Sequence, residues 1–311
     1  MNKKYISLSI SFLTLFFLLQ FFLQSRLLID TFFHTVKLCF YNLFPSIFVF
    51  FIITDILANY NFPYYLSKIF GKTIGKLFKL PQISSYIIFM SMTSGFPGNS
   101  KLIKDQLDKE LIDSYDATKL LTMTHFFFFF FILYTVGINF LHDQRIGIII
   151  LIIHFISNYI IGFLFRNIYK KKINNFPLKP ATPRPFIELL KTSISNTFNI
   201  LINVFGIVIF FALITTTINS YLNLNDYTNT LFNGLLEITN GLSLLSTLPI
   251  SKVKAASIAT FFLSFGGFSI HMQVMSILSK YHLNYFIYLI ARILHASISA
   301  ILVLLTLSLF K

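Results

Sequence analysis

Long runs of apolar residues, separated by short polar segments, divide the 311-residue chain. A helix needs roughly 20 mainly apolar residues to cross the hydrocarbon core of a bilayer. Six runs reach about that length, and they cover residues 5–23, 36–57, 120–140, 146–165, 198–218 and 283–310. The pattern predicts an all-α, polytopic integral membrane protein with six spanning helices.

Three further apolar runs are weaker. The run 231–248 contains Glu237 and several small polar residues, so we expect it to lie partly within protein. The runs 83–97 and 255–270 are too short or too broken to cross, because Gly and Pro interrupt them. Backbone groups freed at such breaks must be satisfied by protein or by a water-filled cavity. These two runs therefore predict re-entrant segments.

Composition excludes an ordinary soluble enzyme. Hydrophobic residues make up 55% of the chain and charged residues 12%, against about 25% charged residues in soluble domains. The mean hydropathy is +0.74. The chain has one cysteine, Cys39, which excludes an intramolecular disulfide and a cysteine-cluster metal site.

The basic residues indicate topology. Lys and Arg number 25 against 11 acidic residues, which gives a net charge of +14. Many of them flank apolar runs, as expected of topology-setting cations and not of a nucleic-acid-binding surface. Basic segments precede the first run and follow the second and fourth, which predicts a cytoplasmic N-terminus in a cell membrane.

We expect residues 5–23 to be a retained span, since the run is longer than a signal-peptide core and no small-residue cleavage site follows. Residues 62–80 have apolar and basic positions at helical spacing, which predicts an interfacial helix.

The order of these segments predicts four parts. They are an N-terminal anchor at 1–35, a first half at 36–173, a cytoplasmic linker and interfacial segment at 174–197, and a second half at 198–311. Four prolines between residues 174 and 185 support the linker.

The two halves resemble each other. When Gly95 is laid on Gly267, 172 positions later, Lys101 falls on Gln273 and both breaks precede a partly polar helix. The predicted topology makes the halves inverted. Interrupted apolar segments at corresponding positions of inverted halves are the best sequence pointer to a transporter's binding site. The alternative is that the glycines only permit close helix packing.

Four sequence blocks carry a resemblance to a known family. The block Ser94-Gly95-Phe96-Pro97-Gly98-Asn99-Ser100-Lys101 resembles the Ser-Gly-Tyr-Pro-Ser-Gly-Ala-Lys pattern of the sporulation integral membrane protein YlbJ family. The blocks at 234–241, 264–274 and 291–296 are similar to the family's other blocks, in the same order.

The resemblance implies a nucleoside-recognition or Gate domain, which that family shares with concentrative nucleoside transporters and the membrane part of ferrous-iron transport protein B. It also implies a role in spore cortex formation in a Gram-positive bacterium. The chain departs from the pattern after Thr124, where His125 and six phenylalanines stand in place of polar residues. This departure weakens any contact of that span with a solute.

The candidate site residues lie at the breaks and at two charges within apolar runs. Helix ends exposed by the breaks favour anionic or polar groups. Ionised groups at membrane depth are usually functional. We expect binding by Gly95, Pro97, Gly98, Asn99, Ser100, Lys101, Glu237, Gly266, Gly267, Ser269, His271, Gln273 and Arg292. The alternatives are that the polar residues only satisfy the broken backbone, that Glu237 pairs with Arg292, or that these charges lie near an interface.

Other polar residues suggest less. Asp55 is expected at the membrane interface. His125 and His295 correspond in the repeat, but no third ligand is spaced for a metal, so packed histidines are favoured and no cofactor is predicted. The charges between 101 and 119 fall three or four residues apart, which predicts a solvated helix with ion pairs. No catalytic or phosphate-binding motif is present, so the chain is not predicted to be an enzyme.

These observations predict a gate-type membrane protein of sporulation that translocates or senses a small polar, nucleoside-like solute. Its expected partners are the lipid bilayer, that solute and other sporulation membrane proteins, with no nucleic acid. The alternative is a scaffold or assembly protein that has kept the fold and lost transport, which the phenylalanine run favours.

Overall fold

The computed structural model describes residues 3–169, 173, 179–180 and 182–309, and within them the regular structure is helical, with no strand. The all-α prediction is confirmed. The α-helices are α1 (Lys3–Leu23), α2 (Ser25–Leu38), α3 (Phe44–Asn59), α4 (Phe62–Phe78), α5 (Ser84–Ser94), α6 (Gly98–Asp108), α7 (Ser114–Met123), α8 (Gln144–Leu164), α9 (Phe186–Asn219), α10 (Asp226–Leu236), α11 (Ile238–Thr247), α12 (Lys252–Phe265), α13 (Gly267–Ile277) and α14 (Tyr285–Leu309). Two π-helical segments, Cys39–Leu43 and Phe131–Phe140, and a 3-10 turn, Phe165–Asn167, complete them.

Four helical segments are long and apolar enough to cross a membrane: Gln144–Asn167, Phe186–Asn219, Lys252–Ile277 and Tyr285–Leu309. Two pairs of consecutive helices are each bent at a short break. If each pair counts as one span, the number of candidate spans rises to six. Ser7–Leu23 meets Ser25–Tyr41 at 100°, and Ile47–Asn59 meets Phe62–Phe78 at 81°. The protein is therefore a polytopic membrane protein. The helix predicted over 62–80 is α4, and its place in the membrane interface stays a prediction.

The structure corrects two of the predicted segments, 120–140 and 255–270, and shows how a third, 231–248, is divided. The run 120–140 is not one helix, because α7 ends at Met123 and residues 124–128 are irregular. The run 231–248 is divided between α10 and α11, which are too short to cross. The run 255–270 belongs to Lys252–Ile277, which is long enough to cross, although it is interrupted at Gly266 as predicted.

The predicted linker and interfacial segment, 174–197, is partly helical. Helix α9 runs from Phe186 to Asn219, so residues 186–197 are continuous with the apolar run 198–218. Residues 174–178 and 181 of the predicted linker lie outside the described residues.

Side-chain contacts identify the two ends of the helix bundle. At one end, which we call the basic end, Asn59 Nδ2 donates to Arg184 O at 3.3 Å and Arg166 donates to Leu77 O at 3.4 Å. At the other, which we call the distal end, Lys252 Nζ donates to His142 O at 3.3 Å.

Two helical hairpins enter the bundle from these ends. Helix α5 starts just after α4 at the basic end, and α6 returns there, where Asp108 accepts a hydrogen bond from Tyr281. Helices α10 and α11 follow α9 and lead back to Lys252 at the distal end. Helices α12 and α14 pack closely, and Ser257 Oγ of α12 donates to Ala300 O of α14 at 2.9 Å. The tips of both hairpins therefore point into the bundle.

Candidate functional site

The first interruption lies at the tip of the α5–α6 hairpin. Helix α5 ends at Ser94, Gly95 has a φ of +63°, and α6 begins at Gly98. A β-carbon on Gly95 would lie 2.5 Å from the backbone nitrogen of Phe128. Glycine is required here because both the left-handed backbone and the close approach exclude a side chain.

The second interruption separates α12 from α13. Gly266 and Gly267 have φ values of +91° and +68°. A β-carbon on Gly266 would lie 2.6 Å from His125 Nε2. A β-carbon on Gly267 would lie 3.4 Å from Leu236 O at the end of α10. This break therefore contacts both residue 125 and the tip of the α10–α11 hairpin.

The third interruption, residues 124–128, was missed in the sequence. His125 lies within it, and the ring of Phe96 stacks on its imidazole with centroids 5.1 Å apart and an interplanar angle of 13°. Asn158 Nδ2 donates to His125 O at 2.9 Å, and Phe127 N donates to His154 Nε2 at 3.3 Å. Side chains of α8 thus satisfy backbone groups that an unbroken helix would pair internally.

The break was missed because the segment contains no Gly or Pro, so that its apolar length indicated a continuous span. One sign of the break was nevertheless present in the sequence. The run of phenylalanines from 126 to 131 has lower helix propensity than Leu or Ala, and it is the place where the chain departs from the family pattern.

The fourth interruption is the junction of α10 and α11 at Glu237. Glu237 has extended backbone angles, and its carboxylate accepts hydrogen bonds from Thr239 N at 3.2 Å and Asn240 N at 2.9 Å. It is therefore the N-cap of α11. Its side chain is buried, and its contact with a free helix terminus compensates part of the cost of burying the charge.

The four interruptions form one connected region. Gly95 lies against Phe128, Gly266 against His125, and Gly267 against Leu236. The first and second breaks therefore approach each other from two sides of segment 124–128. The two predicted breaks are thus brought together, with a third broken segment between them, and binding of a solute there stays a prediction.

Arg292 lies beside this region, fully buried in α14. Its guanidinium donates to Thr122 O and, at 3.1 Å, to His295 Nδ1, and it lies 5.6 Å from the centre of the Tyr288 ring. Tyr288 hydroxyl hydrogen-bonds His125 Nδ1 at 3.2 Å. The residues that Arg292 contacts are thus neutral acceptors or histidines.

The alternative in which Glu237 pairs with Arg292 is not what the structure shows. Among the described residues, neither Glu237 nor Arg292 forms an ion pair. The guanidinium of Arg292 is consequently buried without a carboxylate partner, which is costly.

Three buried polar atoms in this region have no hydrogen-bond partner among the described residues. They are His125 Nε2, Asn158 Oδ1 and Arg292 Nε. Each such atom costs about 1–3 kcal/mol when it is left unsatisfied. The other described residues thus leave three polar atoms beside the breaks unpaired.

The polar residues of the first block divide between two environments. Asn99 Nδ2 donates to Thr124 Oγ1 at 3.5 Å, and Ser100 Oγ donates to Asn99 Oδ1 at 3.3 Å, so both lie at the breaks. Lys101 points elsewhere and forms ion pairs with Asp55 and, at 3.1 Å, with Asp105. Asp55 therefore binds a buried lysine, which its predicted interfacial position did not anticipate.

The polar side chains of the second block form hydrogen bonds within the protein. Gln273 Nε2 donates to Ser269 Oγ at 3.3 Å. His271 Nε2 hydrogen-bonds Phe265 O at 3.0 Å, and its Nδ1 hydrogen-bonds the Tyr285 hydroxyl at 3.1 Å. Pro97, Gly98 and Gly267 contribute backbone at the breaks.

Two smaller predictions are decided by the structure. The segment 101–119 forms two helices, α6 and α7, and although Lys104 and Asp108 pair as expected, Lys101 and Lys119 are buried, so the solvated helix is corrected. His295 donates toward His154 O at 3.1 Å and its ring lies 4.8 Å from that of His154. No group of three or more metal-ligating residues occurs in the described part of the chain.

Comparison with known proteins identifies one relative. The chain is 25% identical over 299 residues to the sporulation integral membrane protein YlbJ of Bacillus subtilis (strain 168), covering 84% of this chain and 73% of the relative. The predicted resemblance to that family is confirmed. No family model and no solved structure matches the chain, and the Gate domain stays a prediction.

Proposed function

We propose that this chain, as a relative of the sporulation integral membrane protein YlbJ, is a sporulation-associated membrane protein that translocates or senses a small polar solute. The observation that carries the proposal is the meeting of helix interruptions. The breaks at Gly95 and Gly266 both contact segment 124–128, and Gly267 contacts the α10–α11 junction. Irregular backbone at membrane depth is tolerated where it is enclosed by protein or lines a cavity, and transporters use such breaks to bind substrates.

The order and direction of the helices support an inverted repeat, in a register that differs from the sequence alignment. The α5–α6 hairpin, from the basic end, corresponds to the α10–α11 hairpin, from the distal end. The interrupted segment from α7 to Phe140 then corresponds to α12 and α13, and α8 to α14. In this register Gly95 matches the Glu237 junction, and residue 125 matches Gly266.

The chemistry at the breaks favours a solute that forms hydrogen bonds and carries negative charge. Arg292 has no carboxylate partner among the described residues, and an anionic group would compensate its buried charge. Asn99 and the unpartnered atoms of His125 and Asn158 provide neutral contacts. A nucleoside-like framework rests only on the family resemblance.

The cellular setting follows from the relative and from charge. We infer that the basic end faces the cytoplasm of a sporulating cell, because cytoplasmic loops carry an excess of Lys and Arg. A cytoplasmic N-terminus, predicted from the basic residues that precede the first apolar run, is part of the same proposal. A role in cortex formation is what the resemblance implies.

A scaffold or assembly role is the second candidate. Phenylalanine rings fill the space beside the breaks. Phe127 lies 4.5 Å from Phe96, and Phe126 lies 4.8 Å from Phe155, measured between ring centroids. Such close packing suits a protein that has kept the fold without a solute path.

Uptake into proteoliposomes separates these candidates. We expect the wild type to take up at least one of uridine, adenosine, their monophosphates, glutamate or glycerol 3-phosphate. Asn99→Ala should abolish this uptake, whereas Asn203→Ala, which changes an exposed residue of α9, should leave it unchanged. Absence of uptake across the panel, together with a specific co-purifying sporulation membrane protein, would favour the scaffold.

A further inference from the structure

A polar groove opens at the basic end, outside the breaks. Its volume is about 410 Å³, and its lining includes Ser114 and Thr118 of α7, Tyr169, and Asn284 and Tyr285 at the start of α14. Asn284 N donates to Thr118 Oγ1 at 3.3 Å, which joins the two helices at the groove floor. None of the predicted site residues lines it.

One side chain connects this groove to the buried region. Tyr285 lines the groove and is 37% exposed, and its hydroxyl hydrogen-bonds His271 Nδ1 at 3.1 Å. His271 is buried, and its other ring nitrogen hydrogen-bonds Phe265 O, the residue before the Gly266 break. A single tyrosine and a single histidine thus separate the groove from the second interruption.

A second contact continues toward residue 125. The rings of His271 and Tyr288 lie 5.0 Å apart, and the Tyr288 hydroxyl hydrogen-bonds His125 Nδ1. Hydroxyl and imidazole groups therefore extend without a gap from the groove to the place where the breaks meet.

We propose that the groove is the entrance to the solute path and that the Tyr285–His271 hydrogen bond is its inner gate. This rests on the proposed function. Opening requires that the tyrosine side chain rotate into the groove, which breaks one neutral hydrogen bond of modest net strength. The His271 ring must then turn aside as well, which breaks its hydrogen bond to Phe265 O.

The gate can be tested without knowing the solute. In a Cys39→Ala background, which removes the natural thiol, Ser264→Cys places a thiol two residues before Gly266 at a fully buried position. We expect slow modification of this thiol by a small methanethiosulfonate reagent in the purified full chain. Tyr285→Ala should raise the rate about tenfold, since labelling follows the population of locally open states.

Two variants control this experiment. Tyr115→Ala also enlarges the groove but leaves the Tyr285–His271 bond in place, so its rate should match the parent. Tyr285→Phe keeps the ring and removes the hydroxyl, so it should give an intermediate rate even if Tyr285→Ala folds poorly. Equal rates in Tyr285→Ala, Tyr285→Phe and Tyr115→Ala would overturn the gate.

A second arm uses transport. Once a transported solute is known, a thiol introduced by Ser114→Cys in the Cys39→Ala background, at a half-buried position of the groove, and modified with a bulky reagent should block uptake. The same modification of Lys68→Cys, on the exposed face of α4, should not. Uptake that survives modification at Ser114 overturns the entrance while leaving the proposed function intact. If no solute is transported, the proposed function fails and the labelling rates still decide whether a gate exists.

Discussion

The imidazole of His125 lies between the ring of Phe96, stacked at 5.1 Å, and the backbone of Gly266. Phe96 belongs to the first break and Gly266 to the second, so one side chain joins interruptions that are far apart in sequence. The position of His125 in turn depends on the irregular segment 124–128, whose backbone is held by Asn158 and His154 of α8. The breaks therefore stabilise one another as a unit.

Gly266→Ala should strongly destabilise the protein. The new methyl group would require a left-handed backbone for alanine and would collide with His125 Nε2 at 2.6 Å. We expect a loss of roughly 2–3 kcal/mol in the free energy of unfolding. Thermal unfolding can be followed with a thiol-reactive dye, because Cys39 is buried and is the only cysteine.

Gly206→Ala is the matched control. Gly206 lies within α9, and a β-carbon there would meet no atom within 4 Å. Alanine should stabilise the helix by about 0.5–1 kcal/mol. If both substitutions shifted the melting temperature in the same direction, the contact between Gly266 and His125 would not be what fixes the break.

Lys101 and Asp55 should show strong energetic coupling. Lys101→Met leaves a carboxylate of Asp55 without its buried partner, and we expect a loss of about 3 kcal/mol. The double variant Lys101→Met, Asp55→Asn should lose about 1–2 kcal/mol less free energy of unfolding than the two single losses added together. A double-mutant cycle, with each variant's stability taken from its melting temperature, measures this coupling energy.

The neighbouring ion pair offers a comparison. Lys104 pairs with Asp108 four residues later in α6, which is also the spacing of Lys101 and Asp105, but Lys104 is more exposed than Lys101. Lys104→Met should cost no more than about 0.5 kcal/mol. Additive effects of the Lys101 and Asp55 substitutions would contradict a buried pair.

The sequence predicted the parts of the fold that depend on local physics. The apolar lengths of α8, α9 and α14 and the breaks at Gly95 and Gly266 follow from hydropathy and from glycine at positive φ. The contact between those breaks depends on topology, and it was expected from the internal repeat, which stays a prediction.

The rest depended on tertiary contacts that local patterns do not contain. Segment 124–128 is irregular because α8 provides partners for its backbone, and no Gly or Pro marks it. Glu237 is predicted to bind a solute because its apolar surroundings are visible in the sequence, whereas its capping of α11 requires that the chain turn at that residue. Nothing in the sequence around Asp55 indicated its ion pair with Lys101, which lies 46 positions away.

Glu237→Ala should weaken the α10–α11 hairpin. The substitution removes two hydrogen bonds to the first turn of α11, and loss of an N-cap costs about 0.5–2 kcal/mol. Glu237→Gln keeps one acceptor oxygen and should lose less. Melting temperatures in detergent test this order. A larger loss for Gln than for Ala would show that the carboxylate does more than cap the helix.

Tyr281 and Asp108 predict a pH dependence outside the spanning helices. Partial burial opposes ionisation of Asp108, but hydrogen bonds from Lys104 and Tyr281 outweigh it and lower the pKa of Asp108 below its usual value. The hydrogen bond to Asp108, together with slight burial, raises the pKa of Tyr281 to about 12. In the folded state Asp108 is therefore favoured as the carboxylate and Tyr281 as the neutral phenol.

The sign of each effect follows from linkage. The pKa of Asp108 is lower in the folded than in the unfolded state, so its contribution is present above about pH 4 and is lost as the pH falls further. The pKa of Tyr281 is higher in the folded state, so its contribution is present below about pH 10 and is lost as the pH rises through about 12. Exposure of the pair limits the stabilisation to about 0.5 kcal/mol.

Tyr281→Phe tests both limbs of this pH dependence, the acid limb in which Asp108 is protonated and the alkaline limb in which Tyr281 ionises. It should reduce the acid-induced fall in melting temperature, followed by circular dichroism, because Asp108 loses one of the donors that lower its pKa. The alkaline absorbance change of the wild type minus that of the variant should show one tyrosine that ionises with a midpoint near 12. Tyr65→Phe, which removes an exposed hydroxyl of α4, should leave the acid limb unchanged. Identical acid limbs for the wild type and Tyr281→Phe would mean that the hydrogen bond between Tyr281 and Asp108 does not persist in solution.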